Sequence, residues 1–274
     1  MSKSAHIWAI TGAAGRIGTV LRKGLAADVA EMRCLDIRPV EDLGDREVAY
    51  QIDLSDLNAT ERAFRGCAGV VHLGGYPTEA DFHDLARVNI EGTYHVLEAA
   101  RRAGVARVAY ASSNRITGFY RVGTVVSTEA PVRPDGLYGV SKAAGEAVCR
   151  LYADKFGMSV VCARIGSFPE EPQNVRDLST WVSRGDLVRA FRAAMTAEGV
   201  TFSIIYVVSR NKQLYWDTSP GHALGFDPQD SADDYANRFE GMPSRDRMAF
   251  QSREDQTSQE NTLSAQRDPG TSAG

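Results

Sequence analysis

The chain has 274 residues, of which 43% are hydrophobic and 24% charged, and its formal net charge is −4. This size and composition suit one large domain, or one domain with a small appendage. The acidic balance argues against nucleic acid as a partner, and no apolar run approaches the ~18 residues of a membrane span. The first residues lack a signal-peptide pattern and the four cysteines lack C-x-x-C spacing. We therefore expect a cytoplasmic protein with reduced thiols.

The first two-thirds of the chain alternates short apolar runs with stretches of helical period. Strands are predicted at 6–10, 31–37, 48–52, 69–73, 105–111 and 158–165. Helices are predicted at 16–27, 55–65, 81–103 and 136–155. Ser55 is the expected N-cap of the second helix. Short buried strands that alternate with helices indicate an α/β protein with a doubly wound parallel sheet, a Rossmann fold.

The last third of the chain is less regular and carries loops rich in Pro and Asn. A helix is predicted at 186–197, a strand at 201–208 and a short helix near 233–239. We expect a core at 1–165 and, at 166–240, a small substrate-binding lobe that also holds the final core elements. A polar flexible tail is expected at 241–274.

A glycine-rich segment, TGAAGRIG at residues 11–18, follows the first predicted strand and opens the first helix. Gly12 permits a tight turn, Gly15 allows backbone N–H groups to approach a pyrophosphate, and Gly18 allows the helix to pack close to the strand. The helix N-terminus then faces the phosphates. Three glycines alone also fit an ordinary turn, so the dinucleotide site depends on the residues that follow.

Acidic and small residues follow the next strands. Asp36 ends the second strand, 18 residues after Gly18, where its carboxylate accepts hydrogen bonds from both ribose hydroxyls and repels a 2′-phosphate. This favours NAD over NADP, although the neighbouring Arg38 leaves NADP open. Asp53 either bonds the adenine amino group or caps a helix. The small residues of 73–75 leave room for the cofactor ribose. We therefore expect residues 1–165 to be an NAD-binding core.

Tyr138 and Lys142 are four residues apart in a predicted helix and therefore share a face. The pair comes about 25 residues after Ser113 closes the fifth strand. A Y-x-x-x-K spacing alone also occurs by chance on a solvated helix face. Because a nearby ammonium stabilises a phenolate and lowers its pKa from about 10, the pattern predicts Tyr138 as a base tuned by Lys142. A serine hydroxyl such as that of Ser113 can orient the reacting oxygen.

These motifs resemble the extended, sugar-handling branch of the short-chain dehydrogenase/reductase superfamily, in the segments TGAAGRIG, HLGG, YASSN and YGVSK. From 110 to 182 the chain is most similar to bacterial uronate dehydrogenases, with SSN, RPDGLYGVSK, RIGS and LSTW. The resemblance implies an oxidoreductase of carbohydrate metabolism. It would oxidise the anomeric carbon of galacturonate or glucuronate to an aldarolactone and reduce NAD.

The resemblance also implies residue roles. Asn89 would support the site or relay water to Lys142, Asn114 and Ser167 would bond sugar hydroxyls, and Arg176 would pair with the uronate carboxylate through its planar fork. The expected catalytic residues are Tyr138, Lys142 and Ser113. The expected cofactor contacts are Gly12, Gly15, Arg16, Ile17, Gly18, Asp36, Ile37, Asp53, Leu54, Leu73, Gly74, Asn89, Tyr138, Lys142 and Ile165. The expected substrate contacts are Ser113, Asn114, Arg115, Ser167 and Arg176.

Three departures from the family pattern touch the substrate pocket. Arg115 stands where the family has histidine, and either adds a second cation for an acidic substrate or points to solvent. The family has a serine shortly after HLGG, where this chain has Tyr76-Pro77-Thr78. The family's C-terminal aromatic residue has no counterpart that aligns past Phe239. These departures bear on which sugar is preferred.

Two other functions stay open. An NAD-dependent sugar or nucleotide-sugar epimerase or dehydratase would use the same pair and retain NAD, but such enzymes carry longer C-terminal domains. A non-catalytic NAD-binding regulator would have no need of a tuned phenol. We expect a small acidic sugar as partner, no membrane, nucleic acid or metal, and by family analogy a homo-oligomer through helices 81–103 and 136–155.

Overall fold

Seven parallel strands form one sheet in the order β3-β2-β1-β4-β5-β6-β7. The computed structural model describes residues 6–121 and 123–242. Its strands are β1 (Ile7–Thr11), β2 (Glu31–Asp36), β3 (Glu47–Gln51), β4 (Gly69–His72), β5 (Arg107–Ser113), β6 (Ser159–Ile165) and β7 (Phe202–Val207). The predicted doubly wound sheet is confirmed. Strand order reverses between β1 and β4, and ligands bind at such a switch point, beyond the carboxyl ends of the strands.

Eight α-helices lie between or after these strands in the described part of the chain. They are α1 (Arg16–Leu25), α2 (Leu57–Phe64), α3 (Phe82–Leu85), α4 (Gly92–Arg102), α5 (Leu137–Phe156), α6 (Asp177–Thr180), α7 (Arg184–Thr196) and α8 (Ser219–Ala223). Short 3₁₀ segments lie at Ala26–Asp28, Asn114–Thr117 and Ala232–Phe239. Within residues 6–121 and 123–242, no helix has both the length and the apolar character that crossing a membrane requires.

Two details of the predicted helices differ. The helix expected at 81–103 is continuous but contains a π-helical segment, Ala86–Glu91, between α3 and α4. Ser55 is not the N-cap of α2. Instead, the Asp56 carboxylate accepts the Ala59 N–H at 2.9 Å. The Ser55 N–H donates to the Asp53 carboxylate at 2.9 Å, so Ser55 belongs to the preceding turn. The N-cap of α2 therefore lies one residue later than expected.

The sheet carries a packed layer of helices on each face. Successive residues of β1 alternate between the layers: Ile10 packs with α1 and α7, and Ala9 packs with α2, α4 and α5. Period-two alternation of fully apolar residues is expected of strands buried on both faces. Each fully buried Leu or Phe side chain contributes about 1.5–3 kcal/mol to folding. These layers hold the carboxyl ends of β1, β2, β4 and β5 in fixed relative positions.

The region after β6 contributes to the core and to the rim of the sheet. β7 pairs in parallel with β6, from Val160↔Phe202 to Ile165↔Val207, and α7 packs against α1. The intervening segment 166–183 is closed on itself by a bridge between Ser167, just after β6, and Trp181. The division of the chain at 165 and 240 stays a prediction. The expected tail at 241–274 lies outside the described residues, apart from 241 and 242.

Candidate active site

A cleft of about 1380 Å³ lies at the carboxyl ends of the strands, at the switch point of the sheet. One end of the cleft is lined by the glycine-rich turn and by the residues that close β2. The other end is lined by residues of β5, α5 and the segment that follows β6. Among the residues predicted for cofactor or substrate, only Asn89 does not line it. The fold therefore brings the predicted nucleotide residues and the predicted reactive residues into one continuous space.

The glycine-rich turn has no room for side chains on its inner side. Gly12 adopts φ +70°, and a Cβ there would lie 2.9 Å from the Gly74 nitrogen. A Cβ on Gly18 would lie 2.3 Å from the Gly12 carbonyl oxygen. Gly15 is the N-cap of α1 and brings no side chain over the first N–H groups of the helix. These N–H groups remain available to a phosphate, so the turn fits a dinucleotide.

Asp36 is held at the edge of this turn. Its two carboxylate oxygens accept the N–H groups of Ala14 at 2.9 Å and of Arg38 at 3.0 Å. Each oxygen retains a lone pair for a further donor such as a ribose hydroxyl. The Arg38 side chain is 63% exposed and its Nε lies 3.5 Å from Asp36. The end of β2 therefore presents a fixed carboxylate with one exposed cation beside it.

A buried chain of hydrogen bonds lies behind the turn. The Thr11 hydroxyl accepts the N–H groups of Leu73 and Gly74, at 3.3 and 3.2 Å, and so donates to His72 Nδ1 at 2.8 Å. His72 Nε2 then donates to the Thr93 hydroxyl at 3.2 Å. Burial lowers the pKa of His72 to about 3, so the ring is neutral. This histidine therefore links the end of β1 and the residues after β4 to Thr93 of α4.

Asn89 lies behind the cleft wall, in the π-helical segment, and is 1% exposed. Its Nδ2 donates to the Ser141 hydroxyl at 2.9 Å, and that hydroxyl donates to the Tyr138 carbonyl at 2.7 Å. Its Oδ1 accepts the Tyr76 N–H at 2.8 Å. π-helical segments often occur at functional sites. Asn89 thus ties α5 to the loop after β4, and its position fits a supporting role rather than cofactor contact.

Tyr138 and Lys142 share the buried face of α5, as their spacing predicted. Lys142 Nζ donates to the Ala111 carbonyl at 2.9 Å and lies 5.8 Å from the Tyr138 ring centroid. Burial lowers the pKa of Lys142 to about 8. Burial also raises the pKa of Tyr138 to about 12, against the opposing effects of the Ser113 hydroxyl and the charge of Arg115. The net direction is opposite to the one expected from Lys142 alone, because the phenolate loses its water.

The sugar end of the cleft holds the three polar residues that the resemblance implied. Arg176 Nη1 donates to the Ser167 hydroxyl at 3.2 Å, and Ser167 also bonds the Thr180 hydroxyl at 2.7 Å. Asn114 is buried, at 6% exposure, and follows β5 directly. Burial and the charge of Arg115 lower the pKa of Arg176, which remains a cation because the pKa of an arginine is so high.

The Arg115 side chain does not point to solvent, and its charge already has carboxylate partners within the protein. Its Nε donates to Asp135 at 2.5 Å and its Nη2 donates to Glu79 at 3.2 Å. The side chain is 19% exposed. Sequence reasoning missed both partners. Asp135 lies inside the RPDGLYGVSK segment and offered a signal, whereas Glu79 lies in a loop with no motif.

The chain matches the model of the NAD dependent epimerase/dehydratase family over residues 8–169. The uronate dehydrogenase of Pseudomonas putida is 40% identical to it over 85% of this chain and 88% of the relative. This match extends beyond the family model, which ends near the end of β6, and includes the segment that carries Arg176.

Two solved structures are similar over most of their length. A mutant uronate dehydrogenase from Agrobacterium tumefaciens complexed with NAD is 39% identical, with a TM-score of 0.84 over 89% of this chain and 92% of that chain. Glucuronic acid dehydrogenase from Chromohalobacter salexigens is 33% identical, with a TM-score of 0.86 over 92% and 97%. The chain belongs to the NAD dependent epimerase/dehydratase family, and within it to the uronate dehydrogenases.

Proposed function

We propose that this protein oxidises the anomeric carbon of galacturonate or glucuronate to an aldarolactone, with NAD as the hydride acceptor. The observation that carries the proposal is the presence, in one cleft, of Tyr138, of Ser113 and of the largely buried guanidinium of Arg176. A phenol and a hydroxyl suit the oxidation of an alcohol. A buried cation at the other end of the sugar suits a carboxylate.

The cofactor end of the cleft fits NAD. Backbone N–H groups of the glycine-rich turn would hold the pyrophosphate, and Asp36 would accept the hydroxyls of the adenosine ribose. Lys142 would hold the nicotinamide ribose from the opposite wall. Bound NAD would supply the hydride acceptor.

In the proposed reaction Tyr138, as the phenolate, takes the proton of the C1 hydroxyl while the C1 hydrogen leaves as hydride. Ser113 donates a hydrogen bond to the reacting oxygen, and Lys142 stabilises the phenolate. Arg176 binds the carboxylate at the far end of the ring and so fixes which carbon faces Tyr138. Holding donor and acceptor in contact in this way supplies a large share of the acceleration.

The raised pKa of Tyr138 gives the reaction a pH dependence. The phenol is neutral near pH 7 in the protein as described, since burial raises its pKa to about 12. The ammonium of Lys142 opposes the effect of burial and favours the phenolate. We therefore expect kcat to rise with pH until the phenol in the ternary complex is ionised.

The test is NADH formation by the purified full chain, given NAD with galacturonate, glucuronate, galactose or glucose. Stoichiometric NADH from the uronates supports the proposal, and its absence with every uronate at high enzyme concentration contradicts it. An epimerase or dehydratase would convert sugar without net NADH, and a regulator would bind NAD and convert nothing. Tyr138→Phe should lose activity but bind NAD normally, whereas full activity in that variant would refute Tyr138 as the base.

A further inference from the structure

The loop after β4, residues 75–81, is anchored at its first turn by Asn89. Asn89 accepts the Tyr76 N–H at 2.8 Å and donates to the Tyr76 carbonyl at 3.3 Å. Gly75 adopts φ +154°, and a Cβ there would lie 2.7 Å from Asn89 Oδ1. The loop therefore leaves β4 in a fixed direction and passes along the cleft, where Pro77 and Thr78 line the wall.

The second anchor of this loop is Glu79, which contacts the reactive helix. Its Oε2 accepts the Tyr138 N–H at 3.1 Å. The N-cap of α5 is Gly136, which has no side chain to do so. A carboxylate at a helix N-terminus satisfies an orphan N–H and interacts favourably with the helix dipole. Glu79 thus caps α5 from a different part of the chain, at the residue that carries the phenol.

Arg115 holds the other oxygen of that carboxylate. It donates to Glu79 Oε1 through Nη2 at 3.2 Å and to Asp135 through Nε at 2.5 Å. Asp135 is 5% exposed and directly precedes the N-cap of α5. The guanidinium therefore joins the loop after β4 to the segment that begins α5. Removing one partner of such a group leaves a poorly solvated charge.

We propose that Glu79 and Arg115 form a positioning pair that sets the location of Tyr138 and balances the charge beside its phenol. The inference rests on the proposed role of Tyr138 as the base. Neither residue acts on the sugar or on NAD in this account. Both act through Tyr138, Glu79 by capping its backbone and Arg115 by holding Glu79 and Asp135.

The charges around the phenol give the pair a measurable signature. The groups whose charge or polarity acts on the phenol are Arg115 in the 3₁₀ turn after β5, Glu79 in the loop after β4, Lys142 on the same helix, and Ser113 and Tyr110 on β5. The charge of Arg115 lowers the pKa of Tyr138 and the charge of Glu79 raises it. Removing Arg115 should therefore raise the pKa of Tyr138, and removing Glu79 should lower it. A purely structural role would not produce these opposite shifts.

The experiment uses the full chain with NAD bound, in the variants Glu79→Gln, Arg115→Gln and the double variant. Ionisation of Tyr138 is followed by NMR of ¹³C-labelled tyrosine, with the signal assigned by its loss in Tyr138→Phe, and kcat is measured against pH. The matched control is Arg150→Gln with Asp154→Asn, an exposed ion pair on the same helix, at 59% and 58% exposure.

We expect Glu79→Gln to lower the ionisation midpoint and Arg115→Gln to raise it, each by about 0.5–1 pH unit. The double variant should return near the wild-type midpoint but keep a kcat about tenfold lower, because the charges cancel while positioning is lost. Arg115→Lys should keep the midpoint and lower kcat, since one ammonium does not bridge two carboxylates. The control pair should change neither.

Shifts in the same direction, no shift, or wild-type kcat in Arg115→Lys would each overturn the proposal. Circular dichroism establishes that each variant is folded. If a glutamine variant does not fold, Glu79→Asp and Arg115→Lys are compared instead, and wild-type kcat in both contradicts the pair. If wild-type protein forms no NADH with any uronate, the proposed function fails. The NMR midpoints then decide this inference separately.

Discussion

Lys142 lies beneath Tyr138, with its Nζ 5.8 Å from the phenol ring centroid and 2.9 Å from the Ala111 carbonyl oxygen to which it donates. A fully buried ammonium at this position is costly, and burial lowers its pKa to about 8. The site therefore keeps a cation where an apolar side chain would be more stable. Active sites often trade stability for function in this way.

Replacing Lys142 with methionine should separate stability from activity. Without the cation the phenolate loses its stabiliser, so we expect kcat to fall by about 100-fold or more, while thermal stability at pH 7 rises. The pKa of Lys142 is lower in the folded chain than in the unfolded chain, so unfolding takes up a proton between pH 8 and 10.5. Wild-type stability should therefore rise relative to the variant across that window, by about 1.4 kcal/mol per pH unit.

Urea unfolding of both proteins from pH 7 to 10 measures this difference. A stability difference that stays constant with pH would show that Lys142 titrates normally. An equally active Lys142→Met variant would remove the ammonium from the mechanism.

Because the imidazole of His72 is neutral in the folded protein, we expect the protein to lose stability in mild acid. Burial lowers the pKa of this histidine from 6.5 to about 3, so unfolding takes up a proton between these values. The free energy of unfolding should fall by about 1.4 kcal/mol per pH unit below pH 6.5 from this group alone. His72→Gln should lower stability at pH 7 but reduce the slope between pH 6.5 and 5, as measured by urea unfolding.

His222 provides the control, because its side chain is exposed. His222→Gln should keep the wild-type slope. A wild-type slope in His72→Gln as well would mean that His72 binds protons equally in the folded and unfolded states.

Asp36 should determine the choice between the two nicotinamide cofactors. Asp36→Ala removes an acceptor for the ribose hydroxyls and relieves the repulsion of a 2′-phosphate, while Arg38 remains beside the site. Hydrogen bonds to a charged group contribute about 1.5–3 kcal/mol, so NAD affinity should fall by roughly 10- to 150-fold and NADP affinity should rise. Titration calorimetry with both cofactors measures this, and an unchanged ratio of the two affinities would contradict the assignment.

The close approach at Gly18 predicts a local steric effect. A Cβ there would lie 2.3 Å from the Gly12 carbonyl oxygen, so Gly18→Ala must displace the turn that faces the phosphates. Overpacking of this kind costs about 1–3 kcal/mol, and NAD affinity should fall with stability. Gly44→Ala is the control, because the nearest atom to its added Cβ lies 3.9 Å away. Normal NAD affinity in Gly18→Ala would mean that the turn does not bind the pyrophosphate.

Local patterns predicted the sheet and most of the cleft. The glycine turn, Asp36 and the Tyr138–Lys142 pair follow from backbone conformation and helix spacing, both of which act over a few residues. Parallel strands bring their carboxyl ends to one edge, so Asp36 at the end of β2 and Ser113 at the end of β5 were expected at the same cleft. Arg176 was expected there from the family resemblance alone.

The parts that sequence reasoning missed depend on contacts between distant segments. Glu79 caps α5 across 59 residues, and no local pattern distinguishes it from other loop acids. The π-helical segment around Asn89 has no sequence signature of its own, since its hydrogen bonds span only one residue more than those of the α-helix that surrounds it. The raised pKa of Tyr138 follows from burial, which spacing alone does not reveal.

The most direct measurement is the ratio of kcat/KM for glucuronate to that for glucose, in the wild-type protein and in Arg176→Gln. We expect a strong preference for glucuronate in the wild type. The ratio should fall by at least about 30-fold in the variant, because truncating one partner of a buried charge pair costs about 2–5 kcal/mol. The ratio for Arg176→Lys should lie between those of the wild type and Arg176→Gln, since lysine keeps the positive charge but lacks the planar guanidinium. Equal ratios in wild type and Arg176→Gln would contradict the assignment of this cleft to uronate oxidation.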